Sequence, residues 1–301
     1  MSGSQDDWYA LVTYRSGSEQ DRLGVIDEAG AVRSDATLAG YPGLRAALDR
    51  WPKLSSYLRD GFDLGATEPV AGAALMAPVR YPNKLICAGA NYRDHVAEMN
   101  GSGPPEGTRP WFFSVPPTTT IVGPGADVAI PADPAMKVDW EAELAVVIGA
   151  RTRDASVDDV LGNVAGYVIL NDLSARGLAK VPVPIAPPMA ADWLKHKGQD
   201  GAKPTGPGLV PAWRVDPDAL GIKLWVNDTL KQNGSTSKLI FGVAELLADI
   251  SAHITLEPGD IIATGTPDGV GMARGEFLVP GDTVRIAIDG LSELTTHITG
   301  R

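Results

Sequence analysis

Cysteine is nearly absent from this 301-residue chain: Cys87 stands alone, so no internal disulfide framework is available, and a reducing compartment is the expected setting. No apolar run approaches the roughly 18 residues that a membrane span needs. The start, Met1 to Asp7, has neither a basic nor an apolar leader region, and a cytoplasmic protein is expected. Excess positive charge is lacking too. Lys and Arg total 26 against 37 Asp and Glu, a formal net charge of −11 with no basic cluster, which argues against nucleic acid or an anionic membrane as partner. There are no internal repeats and no low-complexity tail. Gly265-Thr266-Pro267-Asp268-Gly269-Val270-Gly271 carries glycines without a following Lys-Ser/Thr, so it is not a phosphate loop.

What the chain has in quantity is glycine (34) and proline (24), which suits many short strands and turns better than a helical bundle. Residues 8–70 read as a small α+β unit. Trp8 to Tyr14 is strand-like, a hairpin turns at Ala29-Gly30, and Leu44, Leu48, Trp51, Leu54 and Leu58 trace one helical face. Residues 71–81 read as a connector. Later segments read as a hairpin turning at Asn227-Asp228, a core helix through Ile240, Val243, Leu247 and Ile250, and a closing hairpin around Asp289-Gly290. A short helix capped by Ser156 is expected within Arg151 to Asn163, with Asp158 and Asp159 as dipole partners. His253 and His297 lack partner motifs and read as structural.

The segment of greatest chemical interest is Val138-Asp139-Trp140-Glu141-Ala142-Glu143, which runs into the apolar strand Leu144 to Ile148. Strand residues two apart share a face, which sets Glu141 and Glu143 about 7 Å apart. Two carboxylates beside a buried strand repel one another and are costly to desolvate, and a hard divalent metal is the simplest cation to satisfy them. A solvated edge strand with two surface carboxylates is the other reading. Downstream, the apolar run Val164 to Leu170 ends in Asn171-Asp172, followed by Ser174, a candidate cap for a short helix. Asp172 would complete a three-carboxylate cluster.

These residues carry a resemblance. Glu141-x-Glu143 with Asn171-Asp172-x-Ser174-Ala175-Arg176 resembles the metal-binding core of the fumarylacetoacetate hydrolase superfamily, including members of the acylpyruvate hydrolase and 2-hydroxyhepta-2,4-diene-1,7-dioate isomerase type. Asn91-Tyr92-Arg93-Asp94-His95-Val96-Ala97-Glu98 is similar to its Asn-Tyr-x-x-His-x-x-Glu motif. Three-residue spacing on a helix would let Glu98 orient the His95 imidazole as a general base; alone, the pair reads first as a surface contact, and the resemblance turns it to the base. Trp193 to Asp200 is similar to Trp-x-x-x-Lys-Gly-x-Asp, which assigns Lys197 rather than Lys195 to the site, with His196 a competitor. Gly265-Thr266-Pro267 matches the family's substrate turn.

The resemblance implies a predominantly β, α+β fold with a rolled mixed sheet: a small N-terminal α+β domain over 1–75 and a catalytic domain over 80–301. It implies Mg²⁺, with Mn²⁺ or Ca²⁺ possible, on Glu141, Glu143 and Asp172. Catalysis would fall to His95, Glu98 and Lys197, and substrate contact to Gly265, Thr266 and Arg176. A homodimer is expected. The implied activity is hydrolysis of a carbon–carbon bond in an acylpyruvate-type 2-oxo acid; the alternatives are a 2-oxo-diacid decarboxylase or isomerase of aromatic catabolism, or an inactive metal-containing binding protein. Two positions depart from the pattern: Val115 where most members place Lys, and Gly177 where many carry Asp or Glu. The Gly/Pro-rich stretch 100–107 reads equally as a lid beside His95 or as a surface loop.

Overall fold

The computed structural model describes residues 7–18 and 20–301; the segment Met1 to Gln5 and Asp6, read above for a leader, lies outside them. Among the described residues the chain builds two main sheets. The larger has twelve strands, and its principal order is Glu68–Pro69, Val32–Ser34, Arg22–Asp27, Tyr9–Arg15, Lys203–Pro211, Val164–Asn171, Ala142–Ile148, Ile261–Ala263, Leu85–Ala88 and Phe112–Ser114. The smaller has five, in the order Thr229–Ser235, Gly221–Val226, Thr283–Ile288, Ser292–Gly300 and Asp127–Ile130. The protein is a mixed, sheet-dominated α+β fold, as its turn-rich composition implies.

Every residue of Ala142–Ile148 and Val164–Asn171 is buried, so both faces of the large sheet are covered. Alternation sorts their side chains into two cores. Leu144, Val146 and Ile148 pack with Ile222, Leu224 and Ile286 of the smaller sheet and with Val243, Leu247 and Ile250 of the helix Val243–His253. Ala145 and Val147 face the other way, into a cluster with Leu44, Leu48, Trp51 and Leu54 from the N-terminal helices. The large sheet is thus the middle of three layers. Its N-terminal strands are continuous with the rest, since Tyr9–Arg15 pairs antiparallel with Lys203–Pro211, Leu11 opposite Leu209.

Four local expectations change. The periodic stretch from Leu44 to Leu58 is two helices, Leu44–Leu48 and Trp51–Asp60, because Pro52 lacks an N–H and seats itself in the first turn of the second. Residues 71–81 are more than a connector, since Ala74–Leu75 pairs with Tyr14 and Arg15. The segment Arg151 to Asn163 makes only a 3₁₀ turn at Val160–Asn163, and Ser156 bonds Asp159 instead of capping a helix. Ser174 lies in the two-residue strand Ser174–Ala175 and caps nothing; its hydroxyl donates to the Asp172 carbonyl at 2.9 Å.

Candidate active site

Two adjacent antiparallel strands place the acidic residues. Ala142 pairs with Asn171, so Glu141 and Glu143 at the start of one strand meet Asp172 at the end of the other. The join is stitched by the backbone: Asp172 N–H donates to the Glu141 carbonyl at 2.8 Å, and Glu141 N–H donates to Asn171 Oδ1 at 3.1 Å. All three carboxylates are buried, and one oxygen from each lies within 4.8 Å of the others.

Cations and amides hold them in place. Lys197 ends the helix Trp193–Lys197, and its Nζ lies 2.6 Å from Glu141 Oε2 and 2.8 Å from Asp172 Oδ2. Arg176 reaches Glu141 Oε1 at 2.5 Å and Asp139 Oδ2 at 2.9 Å. Asp139 in turn accepts the N–H groups of Gly271 and Met272. Burial alone would raise the Glu141 carboxyl, but the charges of Lys197 and Arg176 outweigh it and hold Glu141 well below the usual carboxylate range. Glu143 goes the other way. Burial, then the neighbouring Asp172 and Glu141 charges, push it far up, although Gly265 N–H donates to its Oε2 at 2.8 Å. Lys197 stays an ammonium: burial works against it, and Asp172 and Glu141 outweigh burial.

His95 is buried on the helix Arg93–Asn100, with Nδ1 3.1 Å from Glu98 Oε2. Glu98 Oε1 accepts the Gly269 N–H at 2.9 Å, which sets the carboxylate's direction. Burial would raise Glu98, but the hydrogen bonds from His95 and Gly269 bring it below the usual range. Asn91 anchors the helix start through its amide, which donates to the carbonyls of Phe241 and Thr264. Gln232, from the smaller sheet, accepts the Ala142 N–H at 2.9 Å and donates to Thr266 Oγ1 at 2.9 Å. Thr266 Oγ1 donates to the Ala142 carbonyl at 2.9 Å, so both Gly265 N–H and the Thr266 hydroxyl are engaged within the chain.

His95, Glu98, Glu141, Glu143, Asp172, Arg176, Lys197, Gly265 and Thr266 all line one cleft of about 880 Å³. An aromatic wall of Trp111, Phe113 and Trp193 flanks it, with Trp111 and Trp193 ring centres 4.6 Å apart. The segment 100–107 contributes Asn100, Pro104 and Pro105 to its mouth. His196 does not line it; it is buried, its Nε2 has no hydrogen-bond partner among the described residues, and burial followed by the Lys197 and Arg176 charges lowers it to about 3. Val115 is also outside the cleft, buried beside Leu85, Cys87 and Leu170 in the core under the N-terminal helices. Gly177 is where it must be, since a Cβ there would meet the Ala135 carbonyl oxygen at 1.9 Å. Sequence reasoning passed over Asp139 and Lys203. Asp139 continues the alternation of Glu141 and Glu143, a usable signal; Lys203 gave none beyond being a lysine at the head of a strand.

The arrangement matches a family model, the fumarylacetoacetate (FAA) hydrolase C-terminal domain, over residues 84–299. The chain belongs to the fumarylacetoacetate hydrolase family. It is 39% identical over 228 residues to the mitochondrial oxaloacetate tautomerase fahd2 of Xenopus laevis, covering 75% of this chain and 68% of that one. Among solved structures it is similar to the maleylpyruvate hydrolase of Sphingobium sp. SYK-6 in complex with manganese(II) and pyruvate, with a TM-score of 0.77, 31% identity, and coverage of 97% of this chain and 100% of that one. It is likewise similar to the 2-hydroxyhepta-2,4-diene-1,7-dioate isomerase of Mycobacterium marinum, with a TM-score of 0.74, 32% identity, and coverage of 97% and 98%. Family members are thus enzymes, among them hydrolases, isomerases and tautomerases. The buried acidic triad has the all-oxygen donor set that suits a hard divalent metal.

Proposed function

We propose that the protein is a divalent-metal-dependent hydrolase that cleaves a carbon–carbon bond in an acylpyruvate-type 2-oxo acid. The observation that carries this reading is the His95–Glu98 pair opening onto the same cleft as the acidic triad. A base poised for water is what hydrolysis needs beyond the shared chemistry of the family. Glu141, Glu143 and Asp172 would hold Mg²⁺ or Mn²⁺, which when bound supplies Lewis acidity at the 2-oxo acid end of the substrate.

The residues of the chain do the rest. Glu98 accepts the His95 Nδ1–H, which leaves Nε2 as the base that takes a proton from water. The resulting hydroxide adds to the distal carbonyl, the carbon–carbon bond breaks, and its electron pair leaves on the pyruvate-type fragment as an enolate. His95 returns the proton to that carbon. The Lys197 ammonium, buried and charged, faces the negative charge that develops there. Trp111, Phe113 and Trp193 receive the acyl end and keep bulk water away.

The activities named for the Xenopus laevis relative, a tautomerase, and the Mycobacterium marinum structure, an isomerase, favour a second reading, tautomerisation or isomerisation of a 2-oxo diacid. In it His95 moves a proton from one atom of the substrate to another without adding water. Loss of enol absorbance across a panel of acylpyruvates and oxaloacetate, with Mg²⁺ and with EDTA, separates the two. The proposal expects pyruvate plus an acid, abolished by EDTA. An isomer or CO₂ as the sole product, or turnover indifferent to EDTA, contradicts it.

A further inference from the structure

Lys203 is the fully buried cation that the reaction above leaves unused. It opens the strand Lys203–Pro211, is 0% exposed, and its Nζ lies 2.7 Å from Asp172 Oδ1. The ammonium's hydrogens are directed by three carbonyls, those of Leu173 at 3.3 Å, Ala202 at 3.2 Å and Lys197. Asp172 Oδ1 has no aligned hydrogen bond, so it takes the ammonium as a charge contact. Burying a lysine is expensive, and a well-packed apolar residue commonly stabilises a fold as well or better. Lys203 stands where it neutralises one particular oxygen of one site carboxylate.

The other two carboxylates are treated alike. Arg176 holds Glu141 Oε1 at 2.5 Å, and the Gly265 N–H holds Glu143 Oε2 at 2.8 Å. Each carboxylate therefore has one oxygen engaged by a protein group other than Lys197. Of the remaining oxygens, Glu141 Oε2 and Asp172 Oδ2 accept from Lys197, itself a cleft residue, and Glu143 Oε1 accepts no hydrogen bond from a described residue.

We propose that Lys203 is a positioning residue that restricts Asp172 to a single metal-facing oxygen and so tunes the site toward small octahedral cations and away from Ca²⁺. This rests on the metal reading above. Three single-oxygen ligands with open positions suit the octahedral Mg²⁺ and Mn²⁺, whereas Ca²⁺ takes six to eight oxygens and gains from a carboxylate that chelates with both. Freeing Asp172 Oδ1 offers Ca²⁺ that extra oxygen.

The test is calorimetric titration of the metal-stripped protein with Mn²⁺ and with Ca²⁺, comparing wild type with Lys203→Met. Both ions carry the same charge, so loss of the lysine charge, or a general loosening, moves the two affinities together and leaves their ratio alone. The wild type is expected to prefer Mn²⁺, and Lys203→Met to narrow that preference by about tenfold, at the low end of what an outer-shell partner contributes to metal affinity. Lys203→Gln, one bond shorter and neutral, provides the second variant and is expected to narrow it likewise. An unchanged ratio in either variant, with circular dichroism confirming the fold, overturns the role of Lys203. Failure of the wild type to bind either ion overturns the metal reading itself, a distinct result.

Discussion

At the residue scale, the function of His95 separates cleanly from metal binding, because its side chain is bonded to Glu98 and to none of the three acidic residues. His95→Ala is expected to lower kcat by about 10²–10⁴, the range for loss of a general base, while calorimetry gives an unchanged Mn²⁺ affinity. Parallel loss of both would contradict the assignment. His196 makes a different prediction. Held neutral in the fold down to about 3 but titrating near 6.5 when unfolded, it leaves the unfolded chain with one more proton between those values. Its contribution to stability is therefore complete above about pH 6.5 and is lost as pH falls toward 3. From pH 7 to 5 this amounts to roughly 2 kcal/mol. Urea unfolding of wild type and His196→Gln at the two pH values should show the smaller loss in the variant; equal losses would contradict it. The acidic triad was legible because alternation in a strand and a carboxylate at a strand end are local patterns. Lys203 was not, because its burial comes from strands brought together by the fold, Ile121 opposite Lys203 and Leu170 opposite Thr205, and its meaning from a carboxylate that lies 31 residues earlier in the chain.

At the scale of elements, the 3₁₀ turn Arg176–Leu178 sits directly on the turn Pro134–Met136 and carries the guanidinium that grips Glu141 and Asp139. Gly177 makes that contact possible. A Cβ there would lie 1.9 Å from the Ala135 carbonyl oxygen and 3.1 Å from Met136 Cα, and the obstacle is backbone, which cannot swing aside. Gly177→Ala is expected to cost about 1–3 kcal/mol in chemical denaturation, the usual scale of overpacking, and Gly177→Asp at least as much. A neutral Gly177→Asp would mean that the two turns move apart freely. The departure from the family pattern at 177 is thus tied to how closely 134–136 approaches, which no single-chain pattern reveals. Strands were legible from apolar runs and turn residues, whereas short elements were not: Ser174 looked like a cap because Ser favours caps, and tertiary pairing with Asp139 made it a strand instead.

At the scale of the whole molecule, the N-terminal unit shares both a sheet and a core with the catalytic strands. Leu11 faces Leu209, and Trp51 stacks on Trp213 with ring centres 5.9 Å apart. Calorimetry should accordingly show one unfolding transition, and removal of residues 1–80 should leave an apolar edge that aggregates; two separate transitions would contradict this coupling. No helix among the described residues is long and apolar enough to cross a membrane. The expected homodimer is checked by the mass in solution, with the monomer value counting against it. The central claim concerns water. Turnover of an acylpyruvate in H₂¹⁸O, with the products weighed, tests it most directly. Hydrolysis predicts one ¹⁸O in the released acid fragment, put there by the hydroxide that His95 generates. Substrate consumed with no labelled acid, and an isomer or CO₂ in its place, would contradict the hydrolytic reading.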